Sequence, residues 1–134
     1  VIDMARRAEI YIAGIGEVDR KSFIATAGMV DDEDVDEVVQ SGACAEILGQ
    51  FFTAEGRHIP NGVSQRALAP RLSDLQTHKI VAVAGGTSKT QAIRAILGSG
   101  LLHVLITDEA TARRLVTAKP GREPGKKNGK SAPG

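Results

Sequence analysis

The residues best equipped for chemistry lie in one stretch, Lys79-Ile-Val-Ala-Val-Ala-Gly-Gly-Thr-Ser-Lys89. An apolar run ends there in two glycines and opens at once into an amphipathic segment. Gly85 and Gly86 leave backbone N–H groups uncovered, and Thr87, Ser88 and Lys89 add hydroxyls and an ammonium. Such a strand end, facing the start of a helix, outlines an anion pocket suited to a phosphate. Lys89 falls at the second helical position, where the macrodipole favours anions rather than cations. It is either a solvated surface lysine or a point charge held to meet a phosphate or carboxylate. Ser88 and Gln91 form a Ser-x-x-Gln pair, so the serine also has a capping role open to it. The spacing is not that of a Walker A loop, which disfavours nucleotide hydrolysis.

Two further positions stand out. Gly14 and Gly16 make a bare Gly-x-Gly after a short apolar run, without the third glycine of a dinucleotide fingerprint. They serve a tight strand exit or a close ligand approach. Glu46 follows a helix stop and borders an apolar run, where a lone carboxylate is costly unless paired or exposed. It either faces a polar pocket or lies open to solvent.

The remaining candidates have structural explanations. Asp31-Asp-Glu-Asp34 and Asp108-Glu109 are paired acids, but both sit where helices begin. His58, His78 and His103 lack metal-ligand spacing. Cys44 is the single cysteine and has no nearby cation to lower its pKa, so it reads as a buried structural thiol. No catalytic set, metal site or cofactor motif emerges.

The elements that must position these residues alternate along the chain. The spacing predicts the tail of a helix to Arg7, a strand over Glu9 to Ala13, and a turn at Gly28. A helix runs from an Asp31 cap to Gln40 and is closed by Gly42. Ile47 to Phe52 and Arg57 to Ile59 read as a hairpin around Thr53-Ala-Glu-Gly56. Arg66 to Leu68 is a candidate strand and Ser73 to Leu75 a helical turn. Then come the Lys79 strand, a helix to Leu97 with stops at Gly98 and Gly100, a strand His103 to Thr107, and a last helix from Asp108. Strand, helix, strand in about 30 residues is a parallel βαβ unit. The fold class is therefore α/β with a parallel sheet.

Composition agrees. The 134 residues hold three Phe, one Tyr and no Trp, a β-branched and Ala/Leu-rich core suited to parallel α/β packing. Scarce aromatics argue against stacking on single-stranded nucleic acid. Net charge is +1 but uneven: residues 119–134 carry five cations against one acid. The rest holds twelve cations against fifteen acids, so the body is no polyanion binder. Residues 1–117 form one folded unit, and 118–134 a basic tail whose Gly/Pro/Lys composition predicts disorder. A lone cysteine and the absence of a signal peptide or an apolar run near 18 residues favour a cytoplasmic chain that does not engage a membrane.

Ala82-Val-Ala-Gly-Gly-Thr-Ser-Lys89, with Ala92-Ile93, Gly100 and Leu105-Ile-Thr-Asp-Glu-Ala110, resembles the C-terminal end of SorC-type sugar-binding transcriptional regulators. Gly14-Ile-Gly-Glu17, Gly28-Met-Val30, Gly42-Ala-Cys-Ala-Glu-Ile-Leu-Gly49 and Phe51-Phe52 follow the same family order. The resemblance covers about residues 1–116 and is strongest to the polyol regulators, such as those of erythritol catabolism. It implies the C-terminal part of a three-layer, parallel-sheet, Rossmann-type effector domain related to the sugar-phosphate isomerase and deaminase fold. It also implies a non-enzymatic role binding a sugar or sugar phosphate, in a protein that is a homo-oligomer when intact. Gly14, Gly16, Glu46, Gly86 and Lys89 become the effector-binding wall. A full member touches DNA through an N-terminal helix-turn-helix that these residues do not include. The alternative is a sugar-phosphate isomerase or deaminase on the same fold, drawing on Glu46, Asp108 and Lys89.

Overall fold

A computed structural model describes residues 2–21 and 30–117. The turn expected at Gly28 and the tail beyond residue 117 lie outside the described residues. After a short helix α1 (Ile2–Ala5), strand β1 (Ile10–Ala13) alternates, with Tyr11 buried and Ile10 and Ile12 exposed. The Tyr11 hydroxyl donates to the Ala5 carbonyl at 2.9 Å and ties α1 to the strand. The expected βαβ unit is present as β6 (Lys79–Val83), α5 (Thr90–Gly98) and β7 (Val104–Ile106). β6 lies between β1 and β7 with both pairings parallel, Ile12 opposite Val81 and Val81 opposite Val104. Ala92, Ile93, Ala95 and Ile96 form the buried stripe of α5, at the spacing of one helix face. Gly100, at φ 77°, ends the crossover helix.

The second sheet is larger than the single hairpin expected. It runs β2 (Gly16–Glu17), β3 (Ala45–Ile47), β4 (Gln50–Phe52), β5 (His58–Ile59), and every pairing is antiparallel. The strand expected over Ile47 to Phe52 is broken at Leu48 and Gly49. These take φ 51° and 76° and join β3 to β4 through a two-residue turn. Both central positions of such a primed turn need positive φ, and leucine gave no sign of it. The hairpin around Gly56 forms as expected, with Gly56 at φ 80°. A Cβ there would lie 2.5 Å from the Ser99 nitrogen and 2.6 Å from the Gly98 carbonyl carbon. Gly56 therefore lets the loop rest on the end of α5.

The helix α2 (Asp32–Gln40) begins as expected, with the Asp31 carboxylate accepting from the Asp34 N–H at 2.9 Å. The strand expected at Arg66 to Leu68 is absent. A helix α3 (Gly62–Arg66) ends there, and residues 67–69 are bends. Asn61 and Ser64 cap α3 reciprocally, at 2.8 and 3.3 Å, and this pairing outweighs local strand propensity. A further turn of helix, α4 (Leu72–Leu75), precedes β6, and α6 (Glu109–Thr117) closes the described chain. One core joins Tyr11, Ile80 and Ala82 of the parallel sheet, the stripe of α5, and Ala45, Ile47 and Phe52 of the antiparallel sheet. Both sheets are thereby fixed against the same helix.

Candidate functional site

The chain leaves β1 at Ala13, passes Gly14 and the buried Ile15, and enters the antiparallel sheet at Gly16. This switch between sheets opens a cavity of about 590 Å³. Gly16 is paired with Glu46 across β2 and β3. A Cβ at Gly16 would sit 2.9 Å from Glu46 Oε2, so the glycine makes room for the carboxylate. Glu46 Oε1 accepts from the Gly49 N–H at 2.6 Å. Burial pushes the Glu46 carboxyl above its ordinary value, and the Gly49 hydrogen bond opposes that rise.

Lys89 reaches the same cavity from the other sheet. It ends a 3₁₀ turn, Thr87–Lys89, and its Nζ donates to the Ile15 carbonyl at 3.1 Å. An ammonium has three donors, so two remain for other partners. Gly14, Gly16, Glu46 and Lys89, named from the sequence, all line this cavity, together with Leu48 and the charged Glu17, Asp19 and Lys21. Glu17 belongs to the Gly14-Ile-Gly-Glu17 motif. Nothing in the local spacing marked Asp19 or Lys21.

Gly86 is placed differently. Its φ of 99° needs glycine, it lies outside the cavity lining, and its N–H donates to Asp108 Oδ2 at 2.7 Å. The same carboxylate caps α6, accepting from the Thr111 N–H at 2.9 Å and the Thr111 hydroxyl at 2.7 Å. These hydrogen bonds lower the Asp108 pKa to about 2. The Gly86 N–H, expected to face a ligand anion, is thus engaged by a carboxylate of the chain itself. The Ser88–Gln91 box does not form, because the 3₁₀ turn precedes α5 and the Thr90 hydroxyl donates to the Thr87 carbonyl at 2.8 Å.

The other sequence candidates hold structure. Cys44 is half-buried, and burial raises its thiol pKa. His58 meets the Gln50 amide oxygen at 2.9 Å, and His103 Nδ1 accepts from the Ile80 N–H at 3.2 Å. Among the described residues no cluster of three His, Cys, Asp or Glu could hold a metal, and no helix is long and apolar enough to cross a membrane.

A glycine-walled cavity carrying a carboxylate and an ammonium suits a hydroxyl-rich ligand. Residues 1–117 match the family model of a sugar-binding domain. The chain belongs to that sugar-binding domain family. It is 43% identical over 122 residues to the erythritol catabolism regulatory protein EryD of Brucella abortus, covering 91% of this chain and 39% of that protein. It is 34% identical over 116 residues to the transcriptional regulator LsrR of Klebsiella pneumoniae, covering 84% and 36%. A domain of a possible sugar-binding transcriptional regulator from Arthrobacter aurescens superposes with a TM-score of 0.76 at 29% identity, covering 87% of this chain and 45% of the other. The full-length sorbitol operon regulator SorC of Klebsiella pneumoniae shares the fold, with a TM-score of 0.74 at 20% identity, covering 87% and 38%. The sugar-binding domain described here spans about two fifths of the length of these curated relatives.

Proposed function

We propose that this chain is the effector-sensing portion of a sugar-responsive transcriptional regulator, and that its effector occupies the cavity between β1 and β3. The carrying observation is the convergence of Gly14, Gly16, Glu46 and Lys89 from two sheets onto one cavity. Glu46 Oε2 accepts a sugar or polyol hydroxyl, while Oε1 stays on the Gly49 N–H. Lys89 gives its remaining N–H groups to a ligand hydroxyl or phosphate oxygen. Gly14 and Gly16 allow close approach of the backbone. Gly86 acts at one remove, holding the loop after β6 against Asp108. Regulation is a population shift, in which the effector stabilises one arrangement of the domain or its homo-oligomer and an attached DNA-binding segment changes affinity.

Calorimetric titration with erythritol, other four- to six-carbon polyols and their phosphates tests this reading. Binding by at least one ligand is expected, weakened by Lys89→Ala by about 1.5–3 kcal/mol, the scale of a hydrogen bond to a charged group. Unchanged affinity in Lys89→Ala and Glu46→Gln would remove the effector from this cavity.

A further inference from the structure

A second cavity, of about 510 Å³, opens where the end of α1, strands β4 and β5, α3 and the approach to α4 come together. It shares no lining residue with the cavity between β1 and β3, and its size is that of a small-molecule site. Its charge is also different. Arg6 and Arg71 line it, and no carboxylate among the described residues does. Arg6 holds Asp74 at 3.4 Å and Asp3 at 3.6 Å. Arg71 enters none of the ion pairs among the described residues, which leaves its planar fork for an oxyanion.

The remaining polar groups of the cavity are held in one arrangement. Gln50 is 6% exposed, a costly place for an amide unless both of its ends are bonded. Its Nε2 donates to the Pro70 carbonyl at 3.1 Å, an oxygen that can only accept. The Gln50 oxygen therefore faces His58 Nε2, 2.9 Å away, and that ring nitrogen carries the proton. Burial holds the His58 pKa below its ordinary value, so the ring is neutral at pH 7. Nδ1 is then the ring's acceptor, and it takes no hydrogen bond from a described residue. An edge contact with Phe52, centroids 5.5 Å apart, steadies the ring. An apolar side chain in place of Gln50 avoids the cost of a buried amide; what the amide adds is the tautomer. We propose that this cavity is a second ligand site, for a small hydroxylated oxyanion. Arg71 and Arg6 take its phosphate or carboxylate, and His58 Nδ1 accepts from a hydroxyl of the same molecule. The site is separate from the effector cavity and does not rest on that reading.

Calorimetric titration of the 134-residue chain with glycerol phosphate, malate and inorganic phosphate tests the site. Salt at about 0.15 M screens loose contacts with exposed cations. Glycerol phosphate or malate should bind once per chain, the tighter of the two naming the anion, and inorganic phosphate should bind more weakly than the tighter one. Arg71→Ala alters an exposed side chain, so it should keep the wild-type circular dichroism and melting temperature. It should weaken binding by on the order of tenfold or more, the scale of a hydrogen bond to a charged group. Nitrogen NMR should show the His58 proton on Nε2 and an Nδ1 resonance that moves when the anion binds. A loss of affinity in Lys89→Ala but not in Arg71→Ala would put the anion in the effector cavity and overturn the proposal. Binding that neither substitution weakens would place it on the basic residues beyond 118, with the same result. So would the absence of binding by either hydroxylated anion at millimolar concentration, or a His58 proton found on Nδ1.

Discussion

Asp108 and Glu46 are carboxylates driven in opposite directions by their surroundings, and each shift has a measurable consequence. Hydrogen bonds from Thr111 and Gly86 hold Asp108 at about 2, below its ordinary 3.8. A depressed folded pKa stabilises the fold above the unfolded value, and that contribution is lost as pH falls through about 4 to about 2. Asp108→Asn should therefore lower the melting temperature at pH 7 and flatten its decline in that acid range, as thermal melts at stepped pH will read. Glu46 behaves inversely, since burial raises its pKa and its charged form weakens the fold as pH rises past the ordinary carboxyl range. Glu46→Gln keeps an oxygen for the Gly49 N–H, so the variant should melt no lower than wild type at pH 7 while binding effector more weakly. A lower melting temperature would mean that the charge itself supports the fold. Asp108 lies outside the cavity lining, with its oxygens on the Gly86 and Thr111 donors, which leaves an isomerase reading to rest on Glu46 and Lys89. Turnover of sugar phosphates abolished by Glu46→Gln would revive it.

At the scale of elements, the sequence was legible where a local signal had a single physical answer. The run from Lys79 to Ile106 could hardly be other than strand, helix, strand, and the Asp31 cap and the positive φ at Gly56 were marked by residue type. Legibility failed where tertiary contact decided. Leu48 takes a positive φ without a turn residue's chemistry; the adjoining Gly49 and packing against the core hold it there. The Ser88 box gave way to a 3₁₀ turn that brings Lys89 toward Ile15, a partner 74 residues away. The same distinction makes Gly56 testable against Gly42. Both have positive φ, at 80° and 81°, but a Cβ at Gly42 meets nothing within 4 Å, whereas one at Gly56 strikes the backbone of α5. Gly42→Ala should cost about 1 kcal/mol for conformation alone. Gly56→Ala should cost about 2–4 kcal/mol, because the hairpin must also lift off the helix. Chemical denaturation of the two variants checks this, and equal costs would show that the hairpin contact contributes nothing.

For the whole molecule, charge and shape separate what this chain does from what its longer relatives do. Twelve cations against fifteen acids in the first 118 residues provide no field to draw in a phosphate backbone. Among the described residues the most extensive helices, α2, α5 and α6, are nine residues each, and none of them carries a row of basic side chains that could lie in a major groove. The five cations of residues 119–134 are the chain's main attraction for DNA, and such contact is nonspecific and salt-dependent. The 134-residue chain should therefore retard any duplex of similar length equally, only at low salt, with affinity falling steeply as salt rises. A chain ending at residue 118 should show no retardation, while its calorimetric response to the effector panel stays unchanged. Mobility shifts across a salt series, with both chains on specific and scrambled duplexes, decide the matter. Sequence-selective binding by the shortened chain would place DNA recognition in the sugar-binding domain itself, against the division of labour proposed here.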